Sequence, residues 1–502
     1  MKRYYITTPL YYVNAPPHIG HAYTTIAADV LARFHRSRGT ATHLLTGTDE
    51  HGQKIEDAAN AAGKHALDFC DMTSNKFREL WKHLDIHFDD YIRTTEKRHE
   101  DKVQELFALL LKNGDIYKGH YEGLYDVVSE AFVKESDAVK GPGGVLLSPD
   151  SGKPLQKLSE ETYFFKLSKY GPRLLEHYKA HPEFLAPKSR SSEILRFVEG
   201  GLEDISVSRT KVKWGIPVPG DSAHTIYVWF DALINYWSAT GGTEDLWPAD
   251  VQIVGKEIFR FHAVIWPAIL LAAGLPLPKK VFAHGWWTVD GQKMSKSAGN
   301  FVDPYDITAE YGVDAFRYFL LREMPFGNDG DFSKASLTKR YNAELANDLG
   351  NLVSRVAEMV DKFMGGKLPT KPPLAGDFYT TTVAKRTADI SAKMEELDFH
   401  GALDVIWEVI RSLNARVNEK APWKLAKDDL AQCELVLFDM VWSLRLVAGW
   451  IEPFMPQTAA KIHMQLGVRL FPDALTADDV LAGVKARPGL IQKGPVLFPR
   501  KP

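Results

Sequence analysis

An α/β parallel-sheet domain, split by an inserted module and followed by an all-α helical bundle, is the fold class this sequence predicts. Three observations carry that reading. Arg3 to Arg36 orders a β-rich run (RYYITTPLYYV), a Pro-containing turn and a helix-periodic segment, the repeating unit of a parallel sheet. From about Ile116 the texture changes to Gly/Pro-rich, short alternating runs that suit a separate β-containing insertion. From about Leu337 apolar residues recur at helical spacing, which suits a bundle.

Taken in order, Arg3 to Val13 reads as the first strand and Asn14-Ala15-Pro16-Pro17 as a turn. The helix behind it has apolar residues at Tyr23, Ile26, Ala27, Val30, Leu31 and Phe34, and His18-Ile19-Gly20-His21 stands at its start. A helix N-terminus aims unpaired N–H groups and the positive dipole end outward, which suits an anion. Two imidazoles add donors for phosphate oxygens, and Gly20 leaves room for a flat base. As residues alone, two histidines there also read as caps or surface groups. Thr42 to Thr46 is a second buried strand with Asp49, Glu50 and His51 just past its end, where ligands gather in parallel sheets. A carboxylate there suits an ammonium group or a helix N-cap. Residues from about 54 to 113 read as helical.

After the insertion the sheet resumes with HTIYVWFDALINYW, VQIVG, a helix near Phe261 to Ala273, and KVFAHGWW. A polar loop, VDGQKMSKSAGN, then sets Lys293 and Lys296 three residues apart with serines between, as a polyphosphate clamp would. Helix-periodic segments such as YNAELANDLGNLVSRVAEMV and CELVLFDMVWSLRLVAGWI complete the chain. The expected division is residues 1–116 and 226–290 for the two halves of the sheet domain, 117–225 for the insertion, 291–336 for the lysine loop and the region behind it, and 337–502 for the bundle.

The 502 residues carry 45% hydrophobic and 25% charged side chains, ordinary for a globular protein of several domains. A net charge of −3 excludes wholesale basic coating of a polyanion but leaves room for a local basic face. Two cysteines, Cys70 and Cys433, exclude a disulfide framework and suit a reducing, cytoplasmic setting. The longest apolar run, Ala263 to Leu275, is too short to span a membrane and contains Pro267.

With PLYYVNAPPHIGHAY, TGTDEHGQKI, YVWFDALINY, VGKEIFRFHAVIWPA, FAHGWWTVDGQKMSKSAGN and NEKAPWKLAK in this order, the chain resembles the methionyl-tRNA synthetases, in a short bacterial form, along nearly its whole length. These are class I aminoacyl-tRNA synthetases with a Rossmann-type catalytic domain. The resemblance implies a ligase that makes methionyl-adenylate from methionine and ATP with Mg2+ and then esterifies tRNA(Met). It implies that His18, Gly20, His21, Glu257, His284, Lys293 and Lys296 serve ATP, with the histidines His18 and His21 and the two lysines catalytic. It implies a methionine pocket of Leu10, Tyr12, Asp49, Trp229, Ala232, Leu233, Tyr236, Ile258 and His262, in which Asp49 binds the ammonium group and Tyr12 or His262 donates to the thioether sulfur. A thioether is apolar and polarizable and packs well against aromatic edges, so an aromatic slot suits it. Homocysteine, one methylene shorter, is the expected error substrate.

In the bundle, Asn351, Arg355 and Trp423 match the family's anticodon contacts; Trp423 alone also reads as a packing aromatic. Arg209 is a weaker candidate, with a salt-bridged surface role as its alternative. Glu257 stands where many relatives have Asp, which shifts the contact by about one methylene. The insertion holds no cysteine, so no structural zinc is expected. A monomer is expected from the short form. A class I synthetase for leucine or cysteine, a smaller nucleotidyltransferase and a non-enzymatic RNA-binding chain are the alternatives.

Overall fold

A computed structural model of the chain describes residues 3–128, 131–133, 135, 137–242, 246–289, 291–293, 301–367, 378–467, 490–491 and 493–502. Seven parallel strands form the central sheet: β1 (Arg3–Thr7), β2 (Tyr11–Tyr12), β3 (Ala41–Asp49), β4 (Asp90–Arg93), β5 (Leu185–Ala186), β6 (Val251–Gly255) and β7 (Val281–His284). The order is β5-β7-β6-β1-β3-β2, with β4 also on β3. β1 lies between β3 of the first half and β6 of the second, in register Arg3 to Ala41 on one side and Ile6 to Val251 on the other. The chain therefore reverses its winding beside β1, and the carboxyl ends of β1, β3, β6 and β7 open onto one crevice, where doubly wound sheets bind ligands.

Three strands differ from the sequence reading. The first run breaks into β1 and β2, because the step from Thr7 to Tyr11 faces the shorter step from Leu45 to Thr48 and the extra residue leaves the ladder. Pro9 in that break has no N–H to donate. β4 falls inside the segment read as helical; between Ala66–His83 and Lys97–Lys112 it pairs Leu45 to Asp90 through Thr48 to Arg93. β5 falls inside the range expected for the insertion, yet it pairs with β7 and forms the edge of the main sheet. The insertion's own antiparallel sheet pairs Ile116–Asp126 with Gln156–Phe165 and adds Ala131–Val133 and Ile205–Ser206.

Gly47 in β3 admits no side chain. A Cβ there would sit 1.9 Å from the Ile92 carbonyl oxygen and 2.9 Å from the Leu10 side chain. The close β3–β4 approach and the seat of Leu10 both depend on that glycine.

Helix α1 (Ile19–Ser37) packs under the sheet, with Ile26, Val30 and Leu31 fully buried. Helix α2 (Val313–Arg322) leads to the bundle, whose helices include α3 (Asn351–Met364), α4 (Phe399–Lys420), α5 (Leu430–Ile451) and α6 (Pro456–Gln465). A fully buried Arg317 on α2 joins the two regions. It donates to Asp29 of α1 at 2.6 Å and to the carbonyls of Pro453 and Phe454 at 3.0 Å.

Candidate active site

The turn after β2 delivers His18 as the N-cap of α1. His18 Nδ1 accepts the Gly20 N–H at 3.0 Å, and His21 Nδ1 accepts the His18 N–H at 3.1 Å. This is a reciprocal capping box built from imidazoles instead of Ser and Glu. Each Nδ1 is an acceptor, so the ring proton of each histidine lies on Nε2. Capping therefore uses the Nδ1 side of both rings. Burial, and secondarily the neighbouring His18, hold His21 well below the usual histidine range. No acidic residue stands in the first turn of α1 to oppose an anion.

Gly20 also makes room for the His18 ring. A Cβ there would lie 2.9 Å from Cε1 and 3.1 Å from Nδ1 of His18, so the space is filled by that imidazole. His284, at the end of β7, is buried and turned inward. Its Nδ1–H donates to the Gly285 carbonyl at 2.7 Å, and its Nε2 accepts from the Thr24 hydroxyl at 2.7 Å. Burial lowers its pKa, which keeps it neutral in that role. With both nitrogens taken, His284 fastens β7 to the first turns of α1. Thr24 had no distinguishing signal in the sequence.

Glu257 is exposed just beyond β6 and accepts from the Trp286 indole N–H at 2.5 Å. Lys256 lies over the Trp286 ring at 4.1 Å and pairs with Asp329 at 2.5 Å. Lys293 ends a short strand, Gln292–Lys293, that pairs with Trp287–Val289. Lys296, with the rest of residues 294–300, lies outside the described residues. The next residue, Phe301, stands edge-on to His18 with ring centroids 6.2 Å apart. Phe301, the first described residue after that segment, thus lies beside the opening of α1.

On the other side of β1, Asp49 ends β3 and is paired in register with Tyr12 of β2. Tyr12 and Leu10 are half-buried, and Lys54 lies 5.7 Å from the Tyr12 ring. The short helix Val228–Leu233 brings Trp229, Ala232 and Leu233, and Asn235–Ser238 brings Tyr236. Ile258 and His262 follow β6. The Tyr236 hydroxyl donates to His262 Nε2 at 2.6 Å, while His262 Nδ1–H donates to the Ile258 carbonyl at 3.0 Å. Burial lowers the His262 pKa to about 4, so the ring is neutral. Both ring nitrogens of His262, one of the two expected sulfur donors, are thus engaged within the protein.

Phe261 was not singled out in the sequence. It stacks on Trp229 at 3.8 Å and 13° and forms one wall with it. A π-helical turn, Phe261–Ile265, sets that geometry, and neither the 3.6 nor the 2.0 period reveals such a turn.

Of Asp49, which ends β3, and the two residues after it, only Asp49 is half-buried. Glu50 is fully buried and accepts from Arg93, Thr48 and Thr95 at 2.6–2.8 Å. Arg209 is buried, not a surface residue. It donates to Ser206 Oγ at 2.8 Å and to the Ser208 carbonyl at 2.7 Å, over the Tyr227 ring. In the bundle, Asn351 is exposed, Trp423 is 39% exposed, and the Arg355 guanidinium lies 5.9 Å from the Trp423 ring. Arg355 and Trp423, remote in sequence, thus lie together, with Asn351 one turn before Arg355 on α3.

A histidine-capped helix, a carboxylate and an aromatic slot around the reversal point of a parallel sheet, followed by a helical bundle, are the parts of a class I aminoacyl-tRNA synthetase. The family model described as "tRNA synthetases class I (M)" matches residues 4–144 and 147–357. A methionine–tRNA ligase of Caldanaerobacter subterraneus is 47% identical over 99% of this chain and 79% of its own length. One from Streptomyces coelicolor is 46% identical over 99% of this chain and 97% of its own. The Mycobacterium tuberculosis methionyl-tRNA synthetase in complex with methionyl-adenylate superposes with a TM-score of 0.94 at 41% identity, covering 100% of both chains. The chain belongs to the methionine–tRNA ligase family, whose reaction activates methionine with ATP and charges tRNA.

Proposed function

We propose that the crevice beside β1 holds methionine over Asp49 and the Trp229–Phe261 wall, and ATP over the opening of α1. The observation that supports this is the pair of capping imidazoles at the opening of α1, each accepting a backbone N–H through Nδ1 at a helix N-terminus with no acidic residue in its first turn. A methionine carboxylate oxygen attacks the α-phosphorus, the bond to the bridging oxygen breaks, and pyrophosphate leaves with the electron pair. No covalent enzyme intermediate is needed. The protein aligns the reactants and stabilises charge on the phosphates. The terminal adenosine hydroxyl of tRNA then attacks the carbonyl carbon and AMP departs.

His18 and His21 donate to phosphate oxygens, and Lys293 and Lys296 neutralise the departing pyrophosphate. Glu257 accepts from the ribose hydroxyls. Asp49 binds the ammonium group; Leu10, Tyr12, Ala232, Leu233, Tyr236 and Ile258 complete the slot, with Tyr12 as donor to sulfur. Asn351, Arg355 and Trp423 read the anticodon of tRNA(Met), since an exposed indole beside a guanidinium offers stacking planes to splayed bases.

Among the described residues no cluster of three or more His, Cys, Asp or Glu side chains is placed to hold a metal ion. Mg2+ would be carried by the ATP phosphates and water, where it would supply charge neutralisation. No structural zinc and a monomeric state are part of the proposal. No helix among the described residues is long and apolar enough to cross a membrane. Pyrophosphate exchange with each of the twenty amino acids tests the reading. Exchange with methionine alone is expected; exchange with another amino acid, or none, overturns the pocket.

A further inference from the structure

Behind the slot, three segments that line it are tied by one buried chain of hydrogen bonds. Asp231, fully buried in the helix that carries Trp229, Ala232 and Leu233, accepts from His51 Nδ1–H on Oδ2 at 2.7 Å and from His99 Nε2–H on Oδ1 at 2.7 Å. His51 lies two residues past Asp49. His99, on the helix Lys97–Lys112, uses its other nitrogen to accept from the Ser238 hydroxyl at 2.8 Å. Ser238 closes the short helix that carries Tyr236. All four residues of the chain are buried. Burial disfavours the cationic form of His51, but Asp231 outweighs it and raises its pKa; burial likewise opposes the Asp231 charge, and His51 outweighs it and lowers that pKa. None of these side-chain bonds reaches α1 or Glu257, so the chain braces the amino-acid side of the crevice and not the nucleotide side.

We propose that Asp231, bridged by His51 and His99, is a positioning residue for methionine selection: it fixes the spacing between the Asp49 carboxylate and the Trp229–Tyr236 slot. This rests on the pocket reading above. A buried carboxylate with two imidazole donors gives a rigid brace, whereas an apolar contact in its place would let the helix slide. Asp231→Asn keeps the shape but places an N–H against one of two imidazoles that already donate, so one bridge must be lost or reversed. His51→Ala removes the link to β3, and His51→Asn restores an N–H donor.

The test measures methionine and ATP KM by pyrophosphate exchange, with melting recorded for each variant. Asp231→Asn and His51→Ala are expected to raise methionine KM about tenfold or more, as a misplacement of under an ångström does, with ATP KM unchanged and part of the loss recovered in His51→Asn. The proposal is overturned if the two KM values move together, if neither moves, or if His51→Asn matches His51→Ala. If Asp231→Asn fails to fold, the two His51 variants decide by the same criteria. Trp229→Ala separates the readings. Methionine KM raised by Trp229→Ala but not by the brace variants defeats this inference alone, while methionine KM unmoved by Trp229→Ala defeats the pocket reading on which it rests.

Discussion

Gly20→Ala separates activity from stability at the opening of α1. The added methyl would stand 2.9 Å from Cε1 and 3.1 Å from Nδ1 of His18, against about 3.5–4.0 Å for ordinary carbon contacts. The imidazole must retreat by roughly 0.5–1 Å, and its 3.0 Å bond from the Gly20 N–H opens. Losing the cap costs about 1 kcal/mol. Replacing glycine by alanine in a helix returns roughly 0.5–1 kcal/mol. The two terms nearly cancel, so thermal melting should move little. Catalysis has no such compensation. A donor displaced by about 1 Å costs about a hundredfold, close to 2.7 kcal/mol of transition-state stabilisation. Methionine-dependent pyrophosphate exchange, run beside a melting curve, reads both quantities. Exchange within a few-fold of the parent would show that the His18 ring position is not what the reaction uses.

Other predictions concern the slot, the pH response and the bundle. Tyr236→Phe leaves His262 Nε2 without its 2.6 Å donor, so stability should fall by about 1–3 kcal/mol in urea unfolding and methionine KM should rise while ATP KM does not. Burial takes His262 from 6.5 to about 4. A histidine lowered in the folded state binds its proton mainly when unfolded, so stability is complete above pH 6.5 and falls as pH drops toward the folded value. At about 1.4 kcal/mol per pH unit this single group accounts for about 3 kcal/mol lost by pH 4, and His262→Gln should flatten that limb of a stability–pH profile. His463, also lowered to about 4, adds a second contribution of the same sign. Trp423→Ala should weaken aminoacylation strongly and leave pyrophosphate exchange intact; equal loss of both would make Trp423 a packing residue.

The parts of this fold that the sequence reveals are those set by local pattern. Helix α1, its histidine opening and the bundle helices follow from apolar spacing and short motifs. β4 does not, because Asp90–Arg93 is four residues long with two of them buried, and flanking helices dominate any window around it. β5 is two residues long, and its place at the sheet edge is set wholly by β7. Around the crevice, short motifs mark which residues gather there, but not the polarity of their hydrogen bonds. His262 is a saturated acceptor because of the Ile258 carbonyl, and His284 is turned inward by Thr24 and Gly285; both facts depend on backbone placement. Phe261 escaped notice because a π-helical turn sets its direction.

In the proposed reaction the histidine-capped opening of α1 and the lysine segment beyond β7 act on one ATP molecule. A crystal structure with methionine and a non-hydrolysable ATP analogue tests it most directly. His18 and His21 Nε2 and the Lys293 and Lys296 ammonium groups are expected within hydrogen-bond distance of the same triphosphate. A triphosphate held by only one of the two segments, with the other turned away, would contradict it.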